Sequence, residues 1–200
     1  MEILTPFSYL FGSQVLKEDF SELDKSTDYQ YGNSQAEIIQ NVDNYRILEK
    51  YPKYKIILTA QFKYFMKKTM NYPTVDWQIS TSWITCLNKG DRVHFHNHKN
   101  CLWSCVFYFG EYSDDAAHLA FRNPISEREH FLLGKDKGTP MTQDIAIKPE
   151  HNLLVIFPSS INHYSMVNNE DGRKSLAFNM VPVGKYGSGD SSYNPSWFHQ

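Results

Sequence analysis

The chain has 200 residues, with 20 lysines and arginines against 22 aspartates and glutamates, and a formal net charge of −2 at pH 7. This balance gives no electrostatic basis for binding nucleic acid or an anionic membrane, so a small-molecule or protein substrate is the more natural expectation. The three cysteines, Cys86, Cys101 and Cys105, are odd in number and have no CxxC spacing, which argues against a disulfide framework and a zinc knuckle.

The cysteines, the amino terminus and the hydropathy together predict a cytoplasmic protein. No basic stretch followed by an apolar run opens the sequence, and no window approaches the length of a membrane span. At this length we expect one domain over residues 1–200. This domain consists of a strand with helical cover (1–75), a β-helix core (76–183) and a tail (184–200). We treat the first two parts as one domain because neither offers a complete apolar core alone.

The first predicted elements are a strand and a helix. Residues 3–16 alternate loosely between apolar and polar side chains and predict an amino-terminal strand. Between residues 54 and 70 apolar side chains recur at helical spacing, with Pro52 before them and Pro73 after them. We expect this helix to cover a sheet.

From residue 77 onward the sequence is typical of short strands, because β-branched and aromatic residues form short runs between turn residues. The predicted strands cover residues 77–87, 93–98, 103–110, 119–122, 144–147, 153–157 and 174–183. The run Asn-Glu-Asp-Gly at 169–172 predicts a hairpin turn between His163 and the last strand. The expected fold is therefore mainly β with helical cover, built as a jelly-roll sandwich.

The histidines are concentrated in the segment His94-Phe95-His96-Asn97-His98. In an extended strand alternate side chains point to one face, so two of these imidazoles can chelate one metal ion. The best candidate for a third ligand is His163, because it follows a buried strand and a proline turn that would place it at the edge of a cleft. Imidazole suits iron, zinc, copper and nickel. The alternative is a solvated, histidine-rich loop that binds no metal.

A second pattern lies ten residues beyond His163. Arg173 and Ser175 share one face of the predicted last strand, and an arginine fork beside a hydroxyl is a good receptor for a carboxylate. An arginine next to a glycine turn is usually an ordinary surface ion-pair partner. Combined with the histidines, however, it indicates that an anion binds close to the metal.

With these parts in this order, the chain resembles the 2-oxoglutarate- and Fe(II)-dependent oxygenase superfamily, particularly a subgroup of short bacterial and phage proteins. The resemblance implies a double-stranded β-helix core of the cupin-like jelly-roll type, with Fe(II) and 2-oxoglutarate as cofactors. It covers most of the chain beyond residue 44. It is carried by Trp83, Gly90, His96-Asn97-His98, residues 104–108, 119–124 and 154–158, His163, Arg173-Lys174-Ser175 and Phe178-Asn179.

The resemblance implies a set of metal ligands. His96 and His163 match the two histidines of the superfamily's metal triad. The third position holds a carboxylate in the superfamily pattern and His98 in this chain, as it tends to in the short subgroup. A neutral imidazole there leaves more positive charge on Fe(II), which would strengthen binding of the 2-oxoglutarate dianion. A register shifted by two residues would instead make His94 and His96 the pair.

The resemblance also implies how the co-substrate is bound. Arg173 matches the superfamily's anchor for the remote carboxylate of 2-oxoglutarate, and Ser175 and Tyr108 are expected to contact the same molecule. The implied activity is a hydroxylase-type oxidation of an unidentified substrate, coupled to decarboxylation of 2-oxoglutarate to succinate.

Two other functions compete with this interpretation. A three-histidine, cupin-type metal dioxygenase would act without 2-oxoglutarate, but the glutamate of the cupin motif is missing from residues 99–104 and Arg173 would have no role. A jelly-roll binding module would use a structural metal or none and would recognise a carbohydrate or protein partner.

Overall fold

A computed structural model describes residues 2–4, 11–31, 45–72, 75–124 and 144–194, with residues 2–4 and 30–31 described by their backbone only. Within these residues the helices are α1 (Ser21–Asp24) and α2 (Pro52–Lys68), with 3₁₀ turns at Ile47–Glu49 and Gly189–Ser191. The strands are β1 (Glu2–Leu4), β2 (Phe11–Val15), β3 (Gln30–Tyr31), β4 (Asp76–Leu87), β5 (Trp103–Tyr108), β6 (Leu119–Arg122), β7 (Asp144–Ile147), β8 (Leu153–Pro158), β9 (His163–Ser165) and β10 (Arg173–Val183). No helix in this part of the chain is long and apolar enough to cross a membrane.

The strands form two sheets. The major sheet has seven strands in the order β1-β2-β8-β5-β10-β4-β3, and the minor sheet has three in the order β7-β6-β9. Neighbouring strands run antiparallel, except that β3 pairs with β4 in parallel. The predicted mainly β fold with helical cover is confirmed.

One face of the major sheet is covered by α2. The helix buries Leu58, Phe62 and Phe65, which recur at the spacing of one helical face, against apolar side chains of the sheet that include Phe107 and Leu176. The helix begins at Pro52, two residues before the predicted start, because proline is well suited to the first helical position, where no backbone donor is required.

The opposite face of the major sheet packs against the minor sheet. Side chains alternate along β8, so that Leu154 and Ile156 face the helix while Val155 and Phe157 join Phe121 of β6 between the sheets. The same alternation in β10 directs Leu176 and Phe178 toward the helix side, and it leaves the odd-numbered residues on the face between the sheets.

Two sequence-based strand predictions need correction. Residues 3–16 do not form one strand: β1 and β2 are separate and pair antiparallel with each other. The run 169–172 is not a hairpin turn, because β9 belongs to the minor sheet and β10 to the major sheet. The chain crosses between the sheets there, and Gly172 adopts a φ of 75° in this connection.

The prediction of a regular strand at 93–98 is also wrong. In place of a strand, this segment forms an isolated β-bridge between His96 and His163. The backbone N–H of His96 donates to the carbonyl of His163 at 3.0 Å, and the N–H of Ser165 donates to the carbonyl of Val93 at 3.1 Å. Three residue steps separate Val93 from His96, whereas two separate His163 from Ser165. The extra residue bulges the segment and breaks the alternation of its side chains.

Candidate metal centre and anion site

The bulge separates the histidines that the sequence placed on one face. His96 and His98 point into the space between the sheets, where they meet His163 at the start of β9. His94 is exposed, and its backbone carbonyl accepts a hydrogen bond from Nδ1 of His96. The structure therefore brings together His96, His98 and His163, and it does not support the shifted pairing of His94 with His96.

The three imidazoles form a compact cluster. One ring nitrogen from each lies within 4.8 Å of the corresponding nitrogens of the other two. The ring centres of His96 and His163 are 4.3 Å apart, and that of His98 lies 5.0 Å from His96 and 5.1 Å from His163. A group of this kind can hold a single transition-metal ion.

Hydrogen bonds orient two of these rings. Nδ1 of His96 lies 2.6 Å from the carbonyl oxygen of His94, and Nδ1 of His163 lies 3.0 Å from that of Ile161. A carbonyl can only accept, so each Nδ1 carries the proton and each Nε2 is left with a free lone pair. This tautomer is the one in which Nε2 can ligate a metal.

The surroundings keep all three rings neutral. Burial lowers the pKa of His98 to about 4, with a further contribution from the nearby His96. Burial also lowers the pKa of His96, and it lowers the pKa of His163 well below its ordinary value. Neutral imidazoles are metal ligands and protonated ones are not, so the cluster is prepared for a metal at neutral pH.

Arg173 lies in the same cavity at the start of β10 and is only 4% exposed. Its guanidinium donates to the Ser175 hydroxyl at 3.0 Å, to the Tyr108 hydroxyl at 3.3 Å and to the carbonyl of Ala117 at 3.0 Å. Among the described residues no carboxylate lies within ion-pair distance of it, and its buried Nε has no hydrogen-bond partner. A buried cation without a counter-ion is costly, so this environment favours an anionic partner.

Register explains why the three predicted anion contacts meet. Leu176 of β10 pairs with Phe107 of β5 in an antiparallel register. The preceding residue on β10, Ser175, therefore lies opposite Tyr108 of β5. Both hydroxyls are buried, and the ring of Tyr108 lies 5.0 Å below the guanidinium of Arg173. Burial raises the pKa of Tyr108, so that its phenol stays protonated and can donate to an anion.

The cavity that joins the histidines to Arg173 measures about 60 Å³. Its wall also includes Trp83, whose ring centre lies 5.6 Å from that of His98. Asn179 lines the cavity too, but its side chain is held by a hydrogen bond from Ser104 at 2.8 Å and by one to Thr81 at 3.0 Å. Asn179 is therefore a fixed part of the wall.

Sequence reasoning missed two residues at the edge of this cavity. Tyr164 lines it, and its hydroxyl donates to Asp144 at 3.1 Å. Arg92 lies just beyond, in an adjoining cavity. Proximity along the chain was the available signal, because Tyr164 follows His163 and Arg92 precedes His94 by two residues. Neither residue type is unusual for a surface loop, so the pattern alone did not single them out.

Comparisons with known proteins agree with this geometry. Residues 81–179 match the model of the family described as "Putative 2OG-Fe(II) oxygenase". No curated protein sequence matches the chain.

Solved structures share the fold. A Pseudomonas putida prolyl-4-hydroxylase superposes with a TM-score of 0.54 at 12% identity, covering 87% of this chain and 89% of the other. Iron-bound HygX from Streptomyces hygroscopicus gives a TM-score of 0.53 at 12% identity, covering 86% and 82%. A 2OG-Fe(II) oxygenase family oxidoreductase from Burkholderia pseudomallei gives 0.50 at 12% identity, covering 90% and 72%.

These likenesses establish the fold expected from the sequence, a double-stranded β-helix core. The matched segment contains all three clustered histidines and Arg173. The cofactors of this group of enzymes are Fe(II) and 2-oxoglutarate, and the three neutral imidazoles and the unpaired buried guanidinium fit that pair chemically. Over residues 81–179, which hold the candidate site, the chain therefore matches the 2-oxoglutarate- and Fe(II)-dependent oxygenase superfamily, and its fold agrees with that match.

Proposed function

We propose that this protein catalyses a hydroxylase-type oxidation of a small molecule or a protein side chain. In the overall reaction, 2-oxoglutarate and dioxygen are converted to succinate and carbon dioxide, and one C–H bond of the prime substrate becomes C–O–H. The bound metal and its co-substrate supply the oxidising chemistry, while the protein binds, orients and excludes water.

The observation that carries this proposal is the environment of Arg173. Three neutral acceptors hold the guanidinium in a fixed orientation, and no described carboxylate neutralises it. A dicarboxylate that reaches the histidine cluster with one end would place its other end within the same cavity. Neither a cupin-type site nor a binding module requires a ligand that would pair with the buried guanidinium of Arg173.

The histidines are proposed to act as the metal ligands. The backbone carbonyls of His94 and Ile161 hold His96 and His163 in the tautomer that frees Nε2. His98 takes the position at which the wider superfamily has a carboxylate. One solved relative, HygX, has been crystallised with nickel and 2-oxoglutarate together, which supports joint binding in this fold.

The test is a titration of the metal-free protein with Fe(II) and 2-oxoglutarate in the absence of oxygen. A chelate between them has a visible charge-transfer absorption, which we expect in the wild-type protein and not in Arg173→Met at the same concentrations. Arg46→Met is the matched control, because the side chain of this arginine is 73% exposed and is not part of the described lining of the cavity. Admission of oxygen should then yield succinate.

A wild-type protein that binds Fe(II) but shows no absorption band and forms no succinate contradicts the proposal. That outcome favours the second candidate, a metal dioxygenase that does not use 2-oxoglutarate. One observation supports this candidate, namely the all-histidine cluster of His96, His98 and His163. Failure to bind any divalent metal would instead favour a non-catalytic binding module.

A further inference from the structure

A second cavity adjoins the candidate metal centre. It measures about 380 Å³, and its described lining consists of Arg92, Val93, His94, Phe95, Arg122 and Tyr164. This volume falls in the range of small-molecule pockets, which begins at about 300 Å³. Val93 and Tyr164 belong to the walls of both cavities, so a molecule in the second cavity lies next to the metal centre.

The bulge in the histidine segment creates this arrangement. Because the alternation of side chains is broken between Val93 and His96, the side chains of His94 and Phe95 turn toward the second cavity while His96 faces the first. Tyr164 follows His163 directly along β9 and closes the boundary from the other side.

The charge in this cavity is unevenly compensated. Arg122 is paired with Asp144, with Nε 2.5 Å from a carboxylate oxygen. Arg92 is exposed, and no hydrogen bond or ion pair joins its side chain to another described residue. Of the two guanidiniums, that of Arg92 is therefore available to an incoming anion.

The wall of the cavity is aromatic. Phe95 is 46% exposed, unusually high for a phenylalanine, and its ring lies 6.2 Å from that of Tyr164. The guanidinium of Arg122 lies 5.1 Å from the centre of the Phe95 ring and holds it from one side. The exposed part of such a ring accepts a flat, apolar group.

We propose that this second cavity binds the prime substrate, that the substrate is a small organic anion with a flat apolar part, and that Arg92 is the specificity-determining residue. Arg92 binds the anionic group, which is a carboxylate or a phosphate, and Phe95 contacts the apolar part. The substrate then approaches the metal centre past Val93 and Tyr164. This inference rests on the proposed oxygenase function.

The experiment uses the full-length protein loaded with Zn(II), which does not support oxidation, and with saturating 2-oxoglutarate, which blocks Arg173. Benzoate, phenyl phosphate and benzamide are titrated and followed by the backbone amide NMR shifts of Val93, Phe95 and Tyr164. Benzoate and phenyl phosphate separate the two kinds of anion, and benzamide is the uncharged counterpart of benzoate. The shifts of Ser175 and Tyr108 report separately whether 2-oxoglutarate has bound.

Three variants complete the design. Arg92→Gln removes the charge, and Arg92→Lys restores it without the planar fork. Lys89→Gln makes the same change of charge three residues away and outside the cavity. We expect at least one of the two anions to shift the amides of the second cavity and benzamide to bind more weakly. Arg92→Gln should weaken anion binding by about fivefold, Arg92→Lys should recover part of it, and Lys89→Gln should leave it unchanged.

Several results would overturn the proposal. These are equal binding of benzoate and benzamide, equal binding to Arg92→Gln and wild type, and no shift at the second cavity with either anion on the order of 50 mM. If 2-oxoglutarate fails to move the Ser175 and Tyr108 amides, the oxygenase function fails instead. The anions are then tested in the Arg173→Met background, so that the second cavity is judged on its own.

Discussion

Replacement of Arg173 by methionine separates a binding role from a structural one. Methionine keeps much of the side-chain length but removes the charge and all donors. Breaking a buried contact between a guanidinium and a carboxylate costs about 3–5 kcal/mol, which corresponds to roughly 150- to 5000-fold in Kd for 2-oxoglutarate. We expect Arg173→Met to lose binding on that scale.

The stability of the ligand-free protein should respond far less. The variant loses the guanidinium's hydrogen bonds to Ser175, Tyr108 and Ala117, each with a net value of about 1 kcal/mol. It also loses a buried cation that has no described counter-ion, and removing an unpaired buried charge is stabilising. Because the two effects oppose each other, the free energy of unfolding should change by less than about 2 kcal/mol.

Thermal unfolding of the Zn(II)-loaded protein, with and without 2-oxoglutarate, measures both quantities. At a ligand concentration 100 times its Kd, binding adds about 2.7 kcal/mol to the wild type, which raises Tm by roughly 5–10 °C in a chain of this size. Arg173→Met should show no such rise, whereas Arg46→Met should behave as wild type. A loss of more than about 2 kcal/mol in the free energy of unfolding without ligand, or a ligand-induced rise in Tm that the variant retains, would refute the reasoning.

Three further outcomes follow from the described contacts. Tyr108→Phe should weaken 2-oxoglutarate binding by about tenfold in calorimetry, because the buried hydroxyl beside Arg173 is lost while the ring stays; unchanged binding would exclude a contact. In the metal-free protein the folded-state pKa of His98 is lowered from 6.5 to about 4, so the unfolded chain binds more protons between these values. Stability should therefore fall as pH drops from about 6.5 toward 4, and thermal melts of His98→Asn should show a shallower fall. Leu154→Ala truncates a fully buried side chain of the major sheet, so it should lower the free energy of unfolding, measured in urea, by about 2–5 kcal/mol. The Fe(II)–2-oxoglutarate absorption at saturation should not change. A loss of stability below about 1 kcal/mol would contradict the packing described.

The fold was largely readable because its signals are local. Strands β4, β5, β6, β7, β8 and β10 all lie where runs of β-branched and aromatic residues predicted them, and the spacing of apolar residues predicted α2. The errors came from pairing, which local pattern does not encode. The run at 169–172 has hairpin chemistry, yet the strands on either side of it belong to different sheets.

In the candidate site, too, the local sequence pattern predicted some features correctly, and strand pairing decided the rest. Spacing from His163 was enough to propose Arg173 and Ser175, and the family resemblance added Tyr108. The register of β10 on β5 brings the three together. Strand periodicity alone gave His94 the same standing as His98. The extra residue that separates their environments is visible only once the partner strand is known.

The net charge of the first cavity should affect anion binding in the second cavity. The described lining of the first cavity contributes three neutral imidazoles and one guanidinium, and no carboxylate. A divalent metal with a 2-oxoglutarate dianion is electrically neutral, so Arg173 leaves one positive charge uncompensated, which a carboxylate at the position of His98 would have cancelled. In a cavity of low dielectric that excess favours a further anion. An anionic prime substrate held by Arg92 would supply it, and His98→Asp should therefore weaken anion binding in the second cavity even though it leaves Arg92 intact.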